Sequence, residues 1–215
     1  IPIGASEDWP QFYHGQGVCD INQDGKPDVI LNDGWYEHPA AESGQSLVTA
    51  WSFHRDRFSN GRGGAQMFAQ DVDGDGDQDV ISAVDAHGWG LAWYEQVQID
   101  SKPAFKEHLI MGDRSQMDQF GVAFTQPHAL ALADINGDGL ADIVTGKRRW
   151  AHGPDGDIEP GAAPVVYWFE LKREADGSVR YVPHLVDDQS GVGVQVLATD
   201  LNNDGCIDIA TASKL

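Results

Sequence analysis

The sequence predicts an all-β fold built from repeated four-stranded antiparallel units. A nine-residue pattern of Asp, Asn and Gly occurs four times in the 215 residues, and each copy lies between two short strand-like runs. Two further aromatic-rich strands follow three of the copies. Self-similarity of this kind is typical of folds assembled from one supersecondary unit. A hydrophobic content of 41% and 25 glycines are consistent with a packed core connected by many tight turns.

The repeated pattern has the spacing of a calcium-binding loop. Ca²⁺ takes 6–8 oxygen ligands, and side chains at positions 1, 3, 5 and 9, with the carbonyl of position 7, can surround one ion. Gly at position 6 of every copy allows the required sharp reversal. The sequence therefore predicts Ca²⁺ as a cofactor, up to four ions per chain. The predicted metal ligands are Asp20, Asn22, Asp24, Asp28, Asp71, Asp73, Asp75, Asp79, Asp134, Asn136, Asp138, Asp142, Asp200, Asn202, Asp204 and Asp208.

The loops do not match an EF-hand. That motif needs a bidentate Glu at position 12, where this chain has Leu31, Ser82, Thr145 and Thr211. The residues after each loop are β-branched and strand-like, so each loop is predicted to be the turn of a β-hairpin. Turns that need no ion remain the alternative. Fourteen carboxylates in four tight turns repel one another, which favours bound cations.

Two more strands complete each unit. The third carries an aromatic pair and a Glu, and the fourth carries an aromatic residue with His three positions later. The third-strand segments are residues 35–37, 93–95 and 168–170, and the fourth-strand histidines are His54, His108 and His184. Four-stranded units at this period are typical of β-propeller blades. We expect one propeller segment over residues 1–215, with blades at 13–58, 64–111, 122–187 and, incomplete, 192–215. Residues 40–48 and 113–119 could form short helical turns.

The loops resemble those of FG-GAP/VCBS-repeat proteins, the class that includes the calcium-binding blades of integrin α-subunit heads. Residues 34–39 and 150–157 are similar to segments of bacterial secreted VCBS-repeat proteins, and Phe120-Gly121 matches the FG element. The resemblance implies a propeller, usually seven-bladed, with calcium in the outer hairpin loops. The aromatic-Glu and aromatic-His strands are more distantly similar to the propeller of aldos-2-ulose dehydratase, a sugar dehydratase.

The predicted blade count is about three and a half. An incomplete ring leaves open sheet edges, which favour pairing. We therefore expect the remaining blades to come from the rest of a longer chain or from another chain.

Charge and hydropathy exclude several classes of partner. Lys and Arg number 14 against 34 Asp and Glu, a formal net charge of −20. Nucleic acid is therefore not an expected partner, since phosphate binding needs a basic surface. No apolar run reaches the ~18 residues of a membrane span. Calcium is abundant only outside the cytosol, so the loops favour a secreted, periplasmic or cell-surface location.

The repeats separate scaffold from candidate site. Residues that recur in every blade, such as the fourth-strand histidines and the aromatic-Glu strand, are predicted to be structural. Functional residues should break the repeat and lie where the inner strand begins and the second strand ends, at the mouth opposite the calcium loops. His14 and His128 lie before the inner strands of their blades, where the other two blades have Ala65 and Val194.

Polar residues just past the second strands complete this predicted mouth. The predicted catalytic residues are His128, Lys147, His14 and His87, and the predicted ligand-binding residues are Arg148, Asp85, Asp33, Trp150 and His152. A loop over residues 151–164 leaves from the same end and also carries Asp155, Asp157 and Glu159. A histidine, a carboxylate and a positively charged Lys or Arg side chain together can perform acid–base chemistry on a sugar.

Two functions remain open from the sequence. The first is a calcium-stabilised, extracytoplasmic binding module for a glycan or a protein, since neither a Gly-x-Ser-x-Gly nor a His-Glu-x-x-His motif is present. The second is a sugar lyase or dehydratase, a carbon–oxygen lyase that uses the residues at the mouth. Fold alone does not decide between them.

Overall fold

A computed structural model of the protein describes residues 3–4, 14–40, 50–60, 63–64, 66–149 and 152–213. Within these ranges the chain is all-β, with three four-stranded antiparallel sheets and one two-stranded sheet. One helical segment is present there, a 3₁₀ turn at Arg114–Gln116 that continues into α1, Met117–Phe120, as expected for residues 113–119. The turn expected at 40–48 lies outside the described residues, except for residue 40. No helix in these ranges has the length and apolar character needed to span a membrane.

Each sheet follows the chain order strand by strand. The first sheet contains β1 Gln16–Cys19, β2 Asp28–Leu31, β3 Gly34–Glu37 and β4 Ser52–Arg55. The second contains β5 Phe68–Gln70, β6 Asp79–Ala83, β7 Leu91–Ile99 and β8 Lys102–Met111. The third contains β9 Leu130–Ala133, β10 Asp142–Gly146, β11 Val166–Arg173 and β12 Val179–Asp187. The two-stranded sheet pairs β13 Val196–Thr199 with β14 Asp208–Thr211. These meanders confirm the predicted four-stranded units.

The Asp/Asn/Gly loops are hairpin turns, as predicted. Each one connects the first two strands of its sheet, and the ninth residue of the loop pairs with the last residue of the preceding strand. These closing pairs are Cys19–Asp28, Gln70–Asp79, Ala133–Asp142 and Thr199–Asp208. Strands flank every loop, so the exclusion of the EF-hand is confirmed.

The ninth-position Asp braces each sheet in a way that the ligand pattern does not predict. One carboxylate oxygen of Asp79 accepts a hydrogen bond from the Val72 amide at 2.8 Å, and the other accepts one from the Gln96 amide at 2.8 Å. Asp28 and Asp142 make the same pair of contacts in their sheets. Each buried carboxylate therefore ties the loop to the third strand and satisfies two backbone donors.

A Trp–His stack recurs on the outer half of all three complete sheets. The ring centroids of Trp35 and His54 are 4.2 Å apart, and the other two pairs are at 4.4 and 4.3 Å. In each sheet the histidine Nε2 contacts a third-strand glutamate, at 2.6–3.0 Å. Recurrence of the same contact in every blade is what a scaffold role requires.

The hydrophobic core lies between sheets. One cluster joins the first and second sheets through residues such as Trp35, Phe58 and Tyr94, a second joins the second and third sheets, and a third joins the last two. Gln66 links inner strands, since its side chain accepts from the Leu130 amide at 3.1 Å and donates to the Val194 carbonyl at 3.2 Å. This packing is that of propeller blades, and the described sheets do not close into a ring.

Candidate functional site

The hairpin loops present oxygen donors around a tight reversal. The Gly at position 6 has a positive φ in all four loops, between 85° and 97° at Gly25, Gly76, Gly139 and Gly205, a region that disfavours other residues. In the second loop, single oxygens of Asp71, Asp73 and Asp79 all lie within 4.8 Å of one another. An oxygen-only donor set fits a hard cation such as Ca²⁺.

The electrostatics of the second loop are unfavourable without a cation. Burial, together with the nearby charges of Asp73 and Asp77, raises the pKa of Asp79 to about 7. Burial also raises the pKa of Asp73 and of Asp77, and one Asp77 oxygen is buried without a hydrogen-bond partner. A bound cation would favour the ionised form of all these groups.

At the opposite end of the inner hairpins, three histidines meet. We call His14, His87 and His128 the histidine cluster. Their ring centroids form a nearly equilateral triangle, with separations of 5.1, 4.8 and 5.0 Å. The Nε2 atoms of His14 and His87 are 3.0 Å apart. These residues lie on segments that flank strands of three different sheets, and the structure brings them together, as the sequence predicted for the mouth.

Buried polar contacts fix the first member of the histidine cluster. The Nδ1 of His14 lies 2.8 Å from the Gly64 carbonyl oxygen, so this nitrogen carries the proton. Asn32 holds the same two backbone segments together, donating to the His14 carbonyl at 2.6 Å and accepting from the Gly64 amide at 2.9 Å. The His14 ring is therefore orientated by the ends of two inner hairpins.

The second member is held by two carboxylates. The Asp85 carboxylate accepts from the backbone amide of His87 at 2.9 Å, which fixes the turn that carries the ring. The Asp157 carboxylate, 1% exposed, lies 3.5 Å from His87 Nδ1 and contacts His152 Nδ1 at 2.8 Å. The loop after β10 thus brings His152 and Asp157 to the edge of the histidine cluster.

Gln126 joins the segments that carry the other members. It is fully buried with φ at 60°, an uncommon conformation for a residue other than glycine. Its amide donates to the Gly88 carbonyl, and its carbonyl accepts from the amides of His128 and Arg148, at 2.7–3.1 Å. Local backbone strain of this kind is concentrated at functional sites.

Burial favours the neutral form of His87 and His128. It lowers the pKa of His128 to about 3, assisted by the positive charge of Arg148 and by the neighbouring histidines. Burial and Arg148 also lower the pKa of His87, which the contact with Asp157 opposes. Burial likewise lowers the pKa of the Arg148 guanidinium, which is 8% exposed.

Several buried polar atoms at this position lack a hydrogen bond within the protein, among them His87 Nδ1, whose contact with the Asp157 carboxylate is longer, at 3.5 Å. Ten buried side-chain atoms in the described ranges lack a hydrogen bond, and four of them belong to the histidine cluster and its neighbours. These four are His87 Nδ1, Gln126 Oε1, His128 Nδ1 and Arg148 Nε. Buried polar atoms are normally satisfied, so this concentration indicates a place for a ligand, an ion or ordered water.

Other predicted site residues lie elsewhere. Lys147 is fully buried, and its ammonium donates to the carbonyls of Arg148 and Arg149. With Arg114 and Tyr167, Lys147 lines a separate cavity of about 200 Å³. Burial lowers its pKa to about 8. Asp33 is half-buried at the β2–β3 turn, where its carbonyl accepts from the Asp56 amide. Trp150 lies outside the described residues.

Sequence reasoning placed Asn32 among the polar residues that follow the second strands but gave it no role, missed Gln126 and gave Asp157 only a general role. Gln126 gives no signal in the sequence, because its role depends on backbone groups of three separate segments.

Comparison with known families identifies part of the chain. Residues 71–145 match the family profile described as FG-GAP-like repeat, a stretch that begins at the loop after β5 and extends through β6–β9 into β10. This agrees with the resemblance inferred from the loops. No curated protein sequence matches the chain.

Proposed function

We propose that the protein is a calcium-stabilised, extracytoplasmic β-propeller module that binds a glycan at the histidine cluster. One observation carries the proposal: His14, His87, His128, Arg148 and Asp157 converge from different sheets on one point, and none of them belongs to the repeated scaffold. Neutral imidazoles, a guanidinium and a carboxylate offer the mixed donors and acceptors that sugar hydroxyls need.

The calcium part of the proposal is supported by the donor chemistry of the loops. All four hairpin turns keep the same oxygen pattern and the same positive φ at Gly. Millimolar calcium outside cells would occupy such sites, which supports an extracytoplasmic location.

A sugar lyase is the second candidate, and one observation favours it. Arg148 lies beside neutral imidazoles, an arrangement that can stabilise an enolate formed by proton abstraction next to a carbonyl. The pKa of His128, about 3, makes this residue a poor base at neutral pH. His87 is the better candidate for the base.

A glycan array with the calcium-loaded protein tests the first candidate. We expect binding to a restricted set of glycans and its loss in His87→Ala. The matched control is His108→Ala, which removes a histidine from the Trp93 stack of the same sheet and should retain binding. Equal binding by wild type and His87→Ala, or recognition of a protein but no glycan, would exclude the proposed ligand site or ligand class. Ultraviolet absorbance of an unsaturated product would identify the lyase.

A further inference from the structure

The histidine cluster contains a conflict that hydrogen bonds within the protein do not resolve. His14 Nδ1 faces the Gly64 carbonyl at 2.8 Å, and a carbonyl can only accept, so the neutral ring has its lone pair on Nε2. His87 Nδ1 faces the Asp157 carboxylate at 3.5 Å, which likewise favours a proton on Nδ1 and a lone pair on Nε2. Two lone pairs then face each other across 3.0 Å.

A metal ion between the rings removes this conflict. A tetrahedral ion with metal–nitrogen bonds of about 2.0–2.1 Å places its ligand nitrogens roughly 3.4 Å apart. One ring nitrogen of each of His14, His87 and His128 lies within 4.8 Å of the others, so side-chain rotations that bring the rings somewhat closer would complete the site. His128 also has a buried Nδ1 without a partner.

The surroundings have the features of a metal site. Histidine ligands are usually orientated through their second ring nitrogen by a carbonyl or a carboxylate. The Gly64 carbonyl and the Asp157 carboxylate occupy these positions for His14 and His87. Asn32 and Asp85 fix the backbone on which the two rings are carried.

The ligand set selects the class of ion. Calcium and magnesium prefer oxygen donors, whereas imidazole suits zinc, copper, nickel and iron. Three histidines with one remaining position are the ligand set of catalytic zinc sites, where water or substrate takes the fourth place.

We propose that His14, His87 and His128 bind one divalent transition-metal ion of the zinc class, in a site separate from the calcium loops. The inference deepens the proposed function, because the ion would lie where the glycan is expected to bind. Metal binding itself does not depend on that ligand. The ion would complete the coordination of the facing nitrogens and leave one position for water or a ligand hydroxyl.

Zinc titration of the intact protein tests the site. The protein is first stripped of metal and then held in excess calcium, and Zn²⁺ is titrated against a chromophoric chelator. We expect one Zn²⁺ per chain that excess Ca²⁺ does not displace. His87→Ala and His128→Ala should each weaken binding by about 100-fold or more, and Asp157→Asn by about 10-fold. His108→Ala is the control and should bind zinc as the wild type does.

Cobalt provides a readout that needs no variant. Co²⁺ in a tetrahedral nitrogen site should give intense visible absorption that Zn²⁺ abolishes.

The proposal is overturned if the wild type binds no zinc under excess calcium, or if zinc binding is equal in the wild type and in folded His87→Ala and His128→Ala. The first result would leave a proton shared by His14 and His87 as the explanation of the 3.0 Å contact. Glycan binding is measured separately on zinc-free protein, so failure of the metal site and failure of the glycan site are distinguishable.

Discussion

The Asp/Asn/Gly loops and the histidine cluster lie at opposite ends of the inner hairpins, and they are encoded differently. Each loop is a local structure, since one stretch of nine residues supplies its reversal, its oxygens and its closing strand pair. The histidine cluster takes one residue from each of three sheets. Repetition therefore marks the contacts that build each blade, whereas departure from repetition marks residues that only the packing of several blades brings together.

Removal of calcium should have the largest effect on stability. Each ion bound only by the folded state contributes about 2.7 kcal/mol when calcium is at 100 times its dissociation constant, so several filled loops together contribute more than any single substitution. We expect a calcium chelator to lower the melting temperature clearly in a thermal unfolding experiment.

Asp75→Ala localises that effect to one loop. The Asp75 carboxylate accepts from the Asp77 amide on the exposed side of the turn and contributes little without an ion. The variant should melt lower than wild type in calcium and equally in chelator. Identical wild-type curves with and without chelator would contradict filled loops.

Loss of a ninth-position carboxylate should have the next largest effect. Asp142→Ala leaves the buried amides of Ile135 and Leu171 without their acceptor, and each unsatisfied group costs about 1–3 kcal/mol. We expect a loss of about 3 kcal/mol in the free energy of unfolding, measured with denaturant in excess chelator to exclude the ion.

Asp208→Ala is the matched control for this brace. Asp208 accepts from the Leu201 amide in the two-stranded sheet, where the donor is exposed. Loss of the Asp208 carboxylate should lower the free energy of unfolding by about 1 kcal/mol or less. Equal losses in the two variants would mean that the buried brace does not contribute as proposed.

Lys147 should produce an effect on stability similar in size to that of Asp142→Ala, which appears only as the pH rises. Its pKa is about 8 in the folded protein against 10.5 for the ordinary side chain, so between these values the unfolded chain binds the proton and the folded chain does not. Stability should therefore rise with pH through this window, by about 3 kcal/mol in total.

Lys147→Met isolates the contribution of that one group. The variant should remove this rise and be more stable than wild type at pH 7, when unfolding is followed by denaturant titration at several pH values. Parallel pH profiles for the two proteins would show that the buried ammonium does not have a lowered pKa.

Much of the fold could be predicted because its signals are local. The spacing from Asp71 to Asp79 and the β-branched residues after it specify a hairpin whatever the rest of the chain does. Recurrence of the third-strand aromatic residues and the fourth-strand His predicted that Trp93 and His108 are scaffold, and the structure adds that their rings stack.

The candidate site could be predicted only in part. Blade geometry placed His14, His87 and His128 at one end of the assembly, and the structure brings them together. Which of Lys147 and Arg148 faces the histidine cluster could not be derived, because both follow the same strand and the packing around the strand end decides it.

The amino-acid pattern alone specifies the repeating unit, which has a hairpin loop rich in oxygen donors, four antiparallel strands and recurring aromatic and His residues. All of these depend on residues that are close along the chain. Blade packing sets which histidine nitrogens face one another and which carboxylate lies behind them. It also buries the Lys147 ammonium away from the histidine cluster. These relations join His14, His87, His128 and Asp157 across three sheets and one loop, so they depend on how the blades pack rather than on any local pattern.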